Sequence, residues 1–145
     1  MLSSVNLQDI DLLKAGLYTF AIKEADMFTV DEKDREYRFG DSGPKYLMRG
    51  PRMNFALLQF QAGQDFKAHL HQVMEENFYI LEGEVDIVVD GIPHRLAPGQ
   101  FIHIEPGEAH YIANNSGAPV KMVSTLAPYQ ESDKVDIENY TYNIK

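Results

Sequence analysis

From residue 53 onward, short apolar or alternating runs are separated by turn-forming residues. The runs cover residues 53–60, 66–71, 77–81, 85–89, 92–96, 101–104, 110–113 and 120–126. Their length and spacing predict β-strands. Asp90 and Gly91, between Val89 and Ile92, are a strong two-residue hairpin signal. Pro98 and Gly99 suit the centre of a type II turn, and Pro106 with Gly107 and Ser116 with Gly117 mark two more. No segment of this half has the length or period of a major helix. The pattern predicts an all-β, single-domain antiparallel sandwich or barrel.

The flanks differ from this half. Residues 1–52 are mixed in character and read as an N-terminal extension that packs on, or exchanges with, the barrel of residues 53–127. Leu7, Ile10 and Leu13 have partial helical spacing with Gly16 as a stop, which predicts a short helix. The charged run 31–38 reads as a solvated face, and residues 39–44 as turn. The tail, residues 128–145, is polar, and the alternation of Tyr140, Tyr142 and Ile144 predicts an added edge strand.

Length and composition narrow the chemistry. A chain of 145 residues fits one domain with its own core. Cysteine is absent, which removes disulfides, thiolate metal sites and cysteine nucleophiles together, so any metal must be held by nitrogen and oxygen. The formal charge of −9 makes nucleic acid a poor partner. No apolar run approaches the ~20 residues of a membrane helix, so no membrane partner is expected. The first residues carry no basic stretch followed by an apolar one, and the expected location is cytoplasmic. Asn139 and Thr141 complete a glycosylation sequon that, without a secretory signal, reads as chance.

The informative stretch follows Gly63. His69 and His71 are two apart, so on a strand both imidazoles share one face. A turn and a returning strand would bring a carboxylate, Glu75 or Glu76, opposite them. His110 begins a later strand. Three imidazoles and one carboxylate make a nitrogen-rich site for a divalent transition metal, and Mn, Fe, Co, Ni, Cu and Zn all accept such donors.

These spacings resemble the cupin superfamily, and in particular its small single-domain members. The first cupin motif runs Gly, five residues, His-x-His, three or four residues, Glu, six residues, Gly; Gly63, His69, His71, Glu76 and Gly83 match it. The second runs Gly, five residues, Pro-x-Gly, two residues, His, three residues, Asn; Gly99, Gly107, His110 and Asn114 match it. Glu105 stands where that motif has proline, and Pro106 follows one residue late. The departure touches the turn before His110 and is expected to change local geometry more than ligand identity. The resemblance implies a jelly-roll barrel, or double-stranded β-helix, with a divalent metal on His69, His71, Glu76 and His110. It also implies a small-molecule ligand and a homodimer formed partly through exchanged terminal strands.

Other residues weigh differently. The spacing to Gly83 selects Glu76 over Glu75, and alternation then puts Glu76, Phe78 and Ile80 on one face. An inward carboxylate followed by inward apolar residues fits a metal at one end of a hydrophobic barrel. His94 reads as an outer hairpin residue. His103 lies on the face opposite Ile102 and Ile104, and alternation alone does not say whether it reaches the cavity. Glu105 and Glu108 read as solvated turn acids. Arg49, Arg52 and Lys67 are candidates to steady an anion, although basic residues of this kind are more often surface charge.

One carboxylate under a divalent ion leaves about one positive charge, which favours an anionic or oxygen-rich ligand. The expected function is therefore a metal-dependent enzyme on a sugar-like carbonyl compound or a carboxylate, acting by isomerisation, epimerisation or dioxygenation. The alternative is a non-catalytic small-molecule-binding or sensing cupin. Fold alone does not separate the two, and no residue stands out as a general acid or base.

Overall fold

The alternating pattern folds into ten strands among the described residues, which in this computed structural model are 27–141. They are β1 (Gly43–Arg49), β2 (Asn54–Phe60), β3 (Asp65–His71), β4 (Glu75–Glu82), β5 (Val85–Val89), β6 (Ile92–Leu96), β7 (Phe101–Ile104), β8 (His110–Ala113), β9 (Val120–Ala127) and β10 (Lys134–Asp136). One sheet has the order β1-β2-β9-β4-β7, the other β10-β3-β8-β5-β6, and every pairing is antiparallel. Consecutive strands β3 and β4 lie in different sheets, as do β6 and β7, which is the jelly-roll arrangement. The helix expected around Leu7, Ile10 and Leu13 lies outside the described residues, as do Tyr142 and Ile144.

Inward side chains from both sheets make the core: Phe60, Phe78, Ile80, Val85, Ile87, Ile104, Ile112, Val120 and Met122. Each inward row changes character along its length. On β4 it runs Glu76, Phe78, Ile80; on β8, His110 then Ile112; on β9, Ser124, Met122, Val120, all of them buried. Cross-strand register aligns these changes, with Phe78 opposite Ser124 and Ile80 opposite Met122. One end of the sandwich is consequently dry and apolar, and the other gathers polar groups.

The turn signals take the shapes their chemistry dictates. Asp90 and Gly91 both have positive φ, 46° and 82°, as a two-residue hairpin of matched twist requires, and Val89 pairs with Ile92 across them. Asn114 is fully buried and builds a turn. Its amide donates to the carbonyls of Phe60 and Ala118, and its oxygen accepts from Ser116. That is a structural task for the last position of the second motif.

Two strands fall where the hydrophobic pattern gave no signal. β1 opens with Gly43 and Pro44, which read as turn, although a proline is tolerated at the start of an edge strand. Its alternation is broken by a bulge between Tyr46 and Met48. The tail does supply an edge strand, but at Lys134–Asp136, where it pairs with β3 and sets Lys134 opposite His71 and Asp136 opposite His69. Tyr140 instead ties the tail down through its hydroxyl, which accepts from the Gly91 amide and donates to the Ala109 carbonyl.

Gly83 and Gly99 separate two costs of replacing a glycine. Both have positive φ, 75° and 86°. A Cβ on Gly83 would sit 2.4 Å from the Pro119 carbonyl oxygen, whereas one on Gly99 meets nothing within 4 Å. Gly99→Ala is expected to cost only the backbone term, about 1 kcal/mol. Gly83→Ala adds a backbone clash and should cost roughly 3 kcal/mol or more. Urea denaturation of the two variants checks this ranking, and equal midpoints would contradict it.

Candidate metal centre

Strand geometry brings His69, His71, Glu76 and His110 together. His69 and His71 are alternate residues of β3, so they share its inner face. Pairing of β3 with β8 sets His110 opposite His69, with ring centroids 4.2 Å apart. Glu76 enters from the other sheet. All four are buried, and one donor atom from each lies within 4.8 Å of the others. The point of convergence is Glu76 Oε2, which stands 3.0 Å from His110 Nε2, 3.4 Å from His71 Nε2 and 3.7 Å from His69 Nε2. Glu75 faces the other way and accepts from the Asn77 amide.

Backbone carbonyls orient two of the rings. His69 Nδ1 lies 2.9 Å from the Lys67 carbonyl oxygen, and His110 Nδ1 lies 3.0 Å from that of Glu108. A carbonyl oxygen can only accept, so each Nδ1 is the donor and each Nε2 points inward. In the neutral ring that inward nitrogen is a lone pair aimed at a carboxylate oxygen. Acceptors facing one another in a buried site require a cation or a proton between them. The donor set fits a divalent transition metal on this ground, and His69, His71, Glu76 and His110 could hold one.

Two supporting residues carry no motif signal. Ser124 Oγ donates to Glu76 Oε1 at 3.0 Å, fixing the carboxylate's second oxygen. Its only trace in the sequence is its inward place in the β9 alternation. Asp133 is buried, and its two oxygens accept from the amides of Val73 and Met74, both at 2.9 Å. Its Oδ2 also stands 3.6 Å from His71 Nδ1, a buried nitrogen with no hydrogen-bond partner. Asp133 lies in a polar tail and is brought to the site only by folding.

Burial and charge act against each other here. Burial alone would push the Glu76 carboxyl up, but the hydrogen bonds from His110, His69 and His71 hold it well below the usual carboxylate range. Burial drives the His69 imidazole below its ordinary value, only partly offset by Glu76. For His110 burial also pushes down, but the hydrogen bond and charge of Glu76, together with Glu108, outweigh it and leave the ring raised.

The cluster forms the floor of a cavity of about 360 Å³, within the usual range for small-molecule sites. His69, His71 and Glu76 line it, while His110 lies behind them. Leu58, Phe60, Phe66, Ile112 and Leu126 supply apolar wall, and the tail from Tyr129 to Lys134 closes one side. Arg49, Arg52 and Lys67 are all exposed, and of the three Arg49 lines the cavity. His94 is exposed on β6. His103 is also exposed, bound to Asn77 Oδ1 at 2.6 Å and Glu105 Oε1 at 2.9 Å, so it stays out of the cavity. The turn that departs from the motif still closes: the Glu105 amide donates to Glu108 Oε2, and the Gly107 amide donates to the His71 carbonyl. Glu105 is exposed there, while Glu108 caps the turn with its side chain and orients His110 with its carbonyl.

With this geometry in view, residues 56–126 match the cupin domain family. The chain belongs to the cupin superfamily. It is 29% identical over 84 residues to the tetracenomycin polyketide synthase protein TcmJ of Streptomyces glaucescens, a match covering 56% of each chain. It is 37% identical over 60 residues to quercetin 2,3-dioxygenase of Bacillus subtilis, covering 41% of this cupin and 18% of the dioxygenase. This cupin thus matches little more than half the length of the first relative and a small part of the second. In fold it is similar to a protein of Klebsiella pneumoniae with a double-stranded β-helix domain, with a TM-score of 0.67 and 18% identity over 79% of this chain and all of that one.

The opposed shifts of the two imidazoles give a direct test in metal-free protein. Titration followed by NMR should show His110 deprotonating above its ordinary value of ~6.5 and His69 below it. Glu76→Gln removes the charge that lifts His110. Burial then dominates, so His110 should drop below its ordinary value and His69 should fall further. An unchanged His110 titration in Glu76→Gln would contradict the pairing.

Proposed function

We propose that this cupin binds one divalent transition metal through His69, His71, Glu76 and His110. We further propose that it acts as a metal-dependent enzyme on a small, oxygen-rich molecule admitted by the cavity above. The observation that carries this reading is the convergence of three buried imidazole Nε2 atoms on one carboxylate oxygen. One relative is a polyketide synthase protein and another a dioxygenase, and both names point to oxygen-rich small molecules as the class to test. Isomerisation or epimerisation of a carbonyl compound and dioxygenation are the two reaction types that suit such a ligand.

A bound divalent ion supplies Lewis-acid polarisation of a ligand oxygen and, where it is redox-active, electron exchange. The chain's own residues do the rest. Glu76 contributes the single negative charge of the donor set, held in orientation by Ser124. Lys67 and Glu108 carbonyls keep His69 and His110 facing inward. Leu58, Phe60, Phe66 and Leu126 exclude water from the ligand's body, which strengthens every charge interaction at the floor. One observation favours the second reading, a ligand-binding cupin without catalysis. The buried titratable groups of the wall and floor are all engaged, Glu76 and the histidines in the cluster and Asp133 with the amides of Val73 and Met74. Homodimer formation belongs to the same proposal, and sedimentation would test it.

Elemental analysis of purified protein is expected to find about one divalent ion per chain, lost in His69→Ala/His110→Ala. Full stoichiometry in that double variant would overturn the assignment. Asp133→Asn should weaken Mn or Co binding about tenfold by loosening the Val73 and Met74 amides that fix the loop between His71 and Glu76, and Glu76→Gln should weaken it by at least as much. Glu75→Gln should leave it unchanged. Equal affinities for the Glu75 and Glu76 variants in a metal titration would contradict the register.

A further inference from the structure

The cavity has a cationic mouth on a strongly acidic protein. Arg38 and Arg49 both line it, beside Tyr46. Their guanidinium carbons lie 6.0 and 5.3 Å from the centre of the Tyr46 ring, so both positive charges stand against the same aromatic side chain. The bulge in β1 puts Arg49 there. Tyr46 and Arg49 are three residues apart and on a regular strand would face opposite ways. Because the register shifts between Tyr46 and Met48, Tyr46 pairs with Ala56 and Arg49 with Asn54. Ala56 and Asn54 share the inner face of β2, and both line the cavity. The extra residue thus brings Arg49, which stays exposed, to the same face as Tyr46 at the edge of the cavity, a use to which bulges beside binding sites are put. Arg38 is fixed next to β1 by its amide, which donates to the Pro44 carbonyl.

The other charges around the cavity are mostly committed. Lys134 pairs with Asp136 and lies over Phe66. Asp133 is held by two backbone amides, and Glu76 by Ser124 and the imidazoles. Glu131 is exposed at the rim. Among the described residues neither Arg38 nor Arg49 has a carboxylate partner. With a net charge of −9 overall, two guanidiniums without a carboxylate partner among the described residues concentrate positive charge on one wall.

We propose that Arg38 and Arg49, flanking Tyr46, form a carboxylate-binding subsite at the cavity mouth. The ligand is then a hydroxylated aromatic carboxylate, with its acid group at the arginines, its ring against the apolar wall and its hydroxyls toward the histidine floor. The assignment rests on the proposed metal-centred function for the inner end of the ligand only. Guanidinium forks bind a carboxylate in two parallel hydrogen bonds, and a planar ring suits a wall of Leu58, Phe66 and Leu126.

The test uses 3,4-dihydroxybenzoate and its neutral isostere 3,4-dihydroxybenzamide as probes, titrated calorimetrically into protein as purified and into protein loaded with Mn. The acid should bind at least about tenfold more tightly than the amide, the value of one charge-assisted hydrogen bond. Arg49→Gln should remove most of that preference and Arg38→Gln/Arg49→Gln all of it, with Mn affinity unchanged in both. Equal binding of acid and amide by the native protein, no binding of either, or a preference that survives in the double variant would overturn the subsite. Failure of native protein to take up Mn would overturn the metal-centred reading instead, and the acid-to-amide ratio would still report on the arginines.

Discussion

Three imidazole nitrogens and one carboxylate oxygen compete for the same few ångströms at the polar end of the sandwich, and much of the local structure serves to hold them there. Each of these groups is buried and keeps little of its surface for water. A bare carboxylate in that setting would be strongly disfavoured, and burial alone pushes Glu76 toward the neutral acid. The imidazoles reverse the direction. The same exchange lifts His110, so the pair is stable as opposed charges or as joint donors to a cation. The two carbonyls beneath His69 and His110 and the hydroxyl of Ser124 leave the set little freedom to relax.

This constraint explains why chain segments remote in sequence meet at one point. β3 and β8 pair in one sheet, β4 and β9 in the other, and the residues of the polar cluster sit at the matching ends of all four strands. The tail then crosses back. Asp133 reaches Val73 across 60 residues and fixes the loop between His71 and Glu76, while β10 pairs with the strand that carries both histidines. The tail thereby both lines the cavity and fixes the loop that follows His71.

Much of this was legible in the order of residues. The eight runs from residue 53 onward became strands because their alternation matches the strand period and their separators favour turns. His69, His71, Glu76 and His110 were legible because strand parity fixes which residues share a face and the cupin spacing picks out the fourth member. β1 was not legible, since its bulge breaks the period that would have announced it, and Gly43 with Pro44 looks like a loop. That same irregularity brings the exposed Arg49 to the edge of the cavity, so the local departure from pattern lies next to a candidate binding surface. Asp133 and Ser124 were hidden for another reason. Their roles depend on contacts between strands and tail that no local period encodes. For His103, parity gave the face, but only the folded sheet showed that this face is solvent, where Asn77 and Glu105 bind the ring.

X-ray absorption of protein loaded with a single divalent metal bears most directly on the convergence of the four side chains. The fine structure beyond the first coordination shell counts the imidazoles bound to the ion. Three are predicted in the native protein and two in His110→Ala, with the remaining donors light oxygen or nitrogen atoms. A native spectrum with one imidazole or none would contradict the account, because it would place the ion away from the Nε2 atoms that Glu76 draws together.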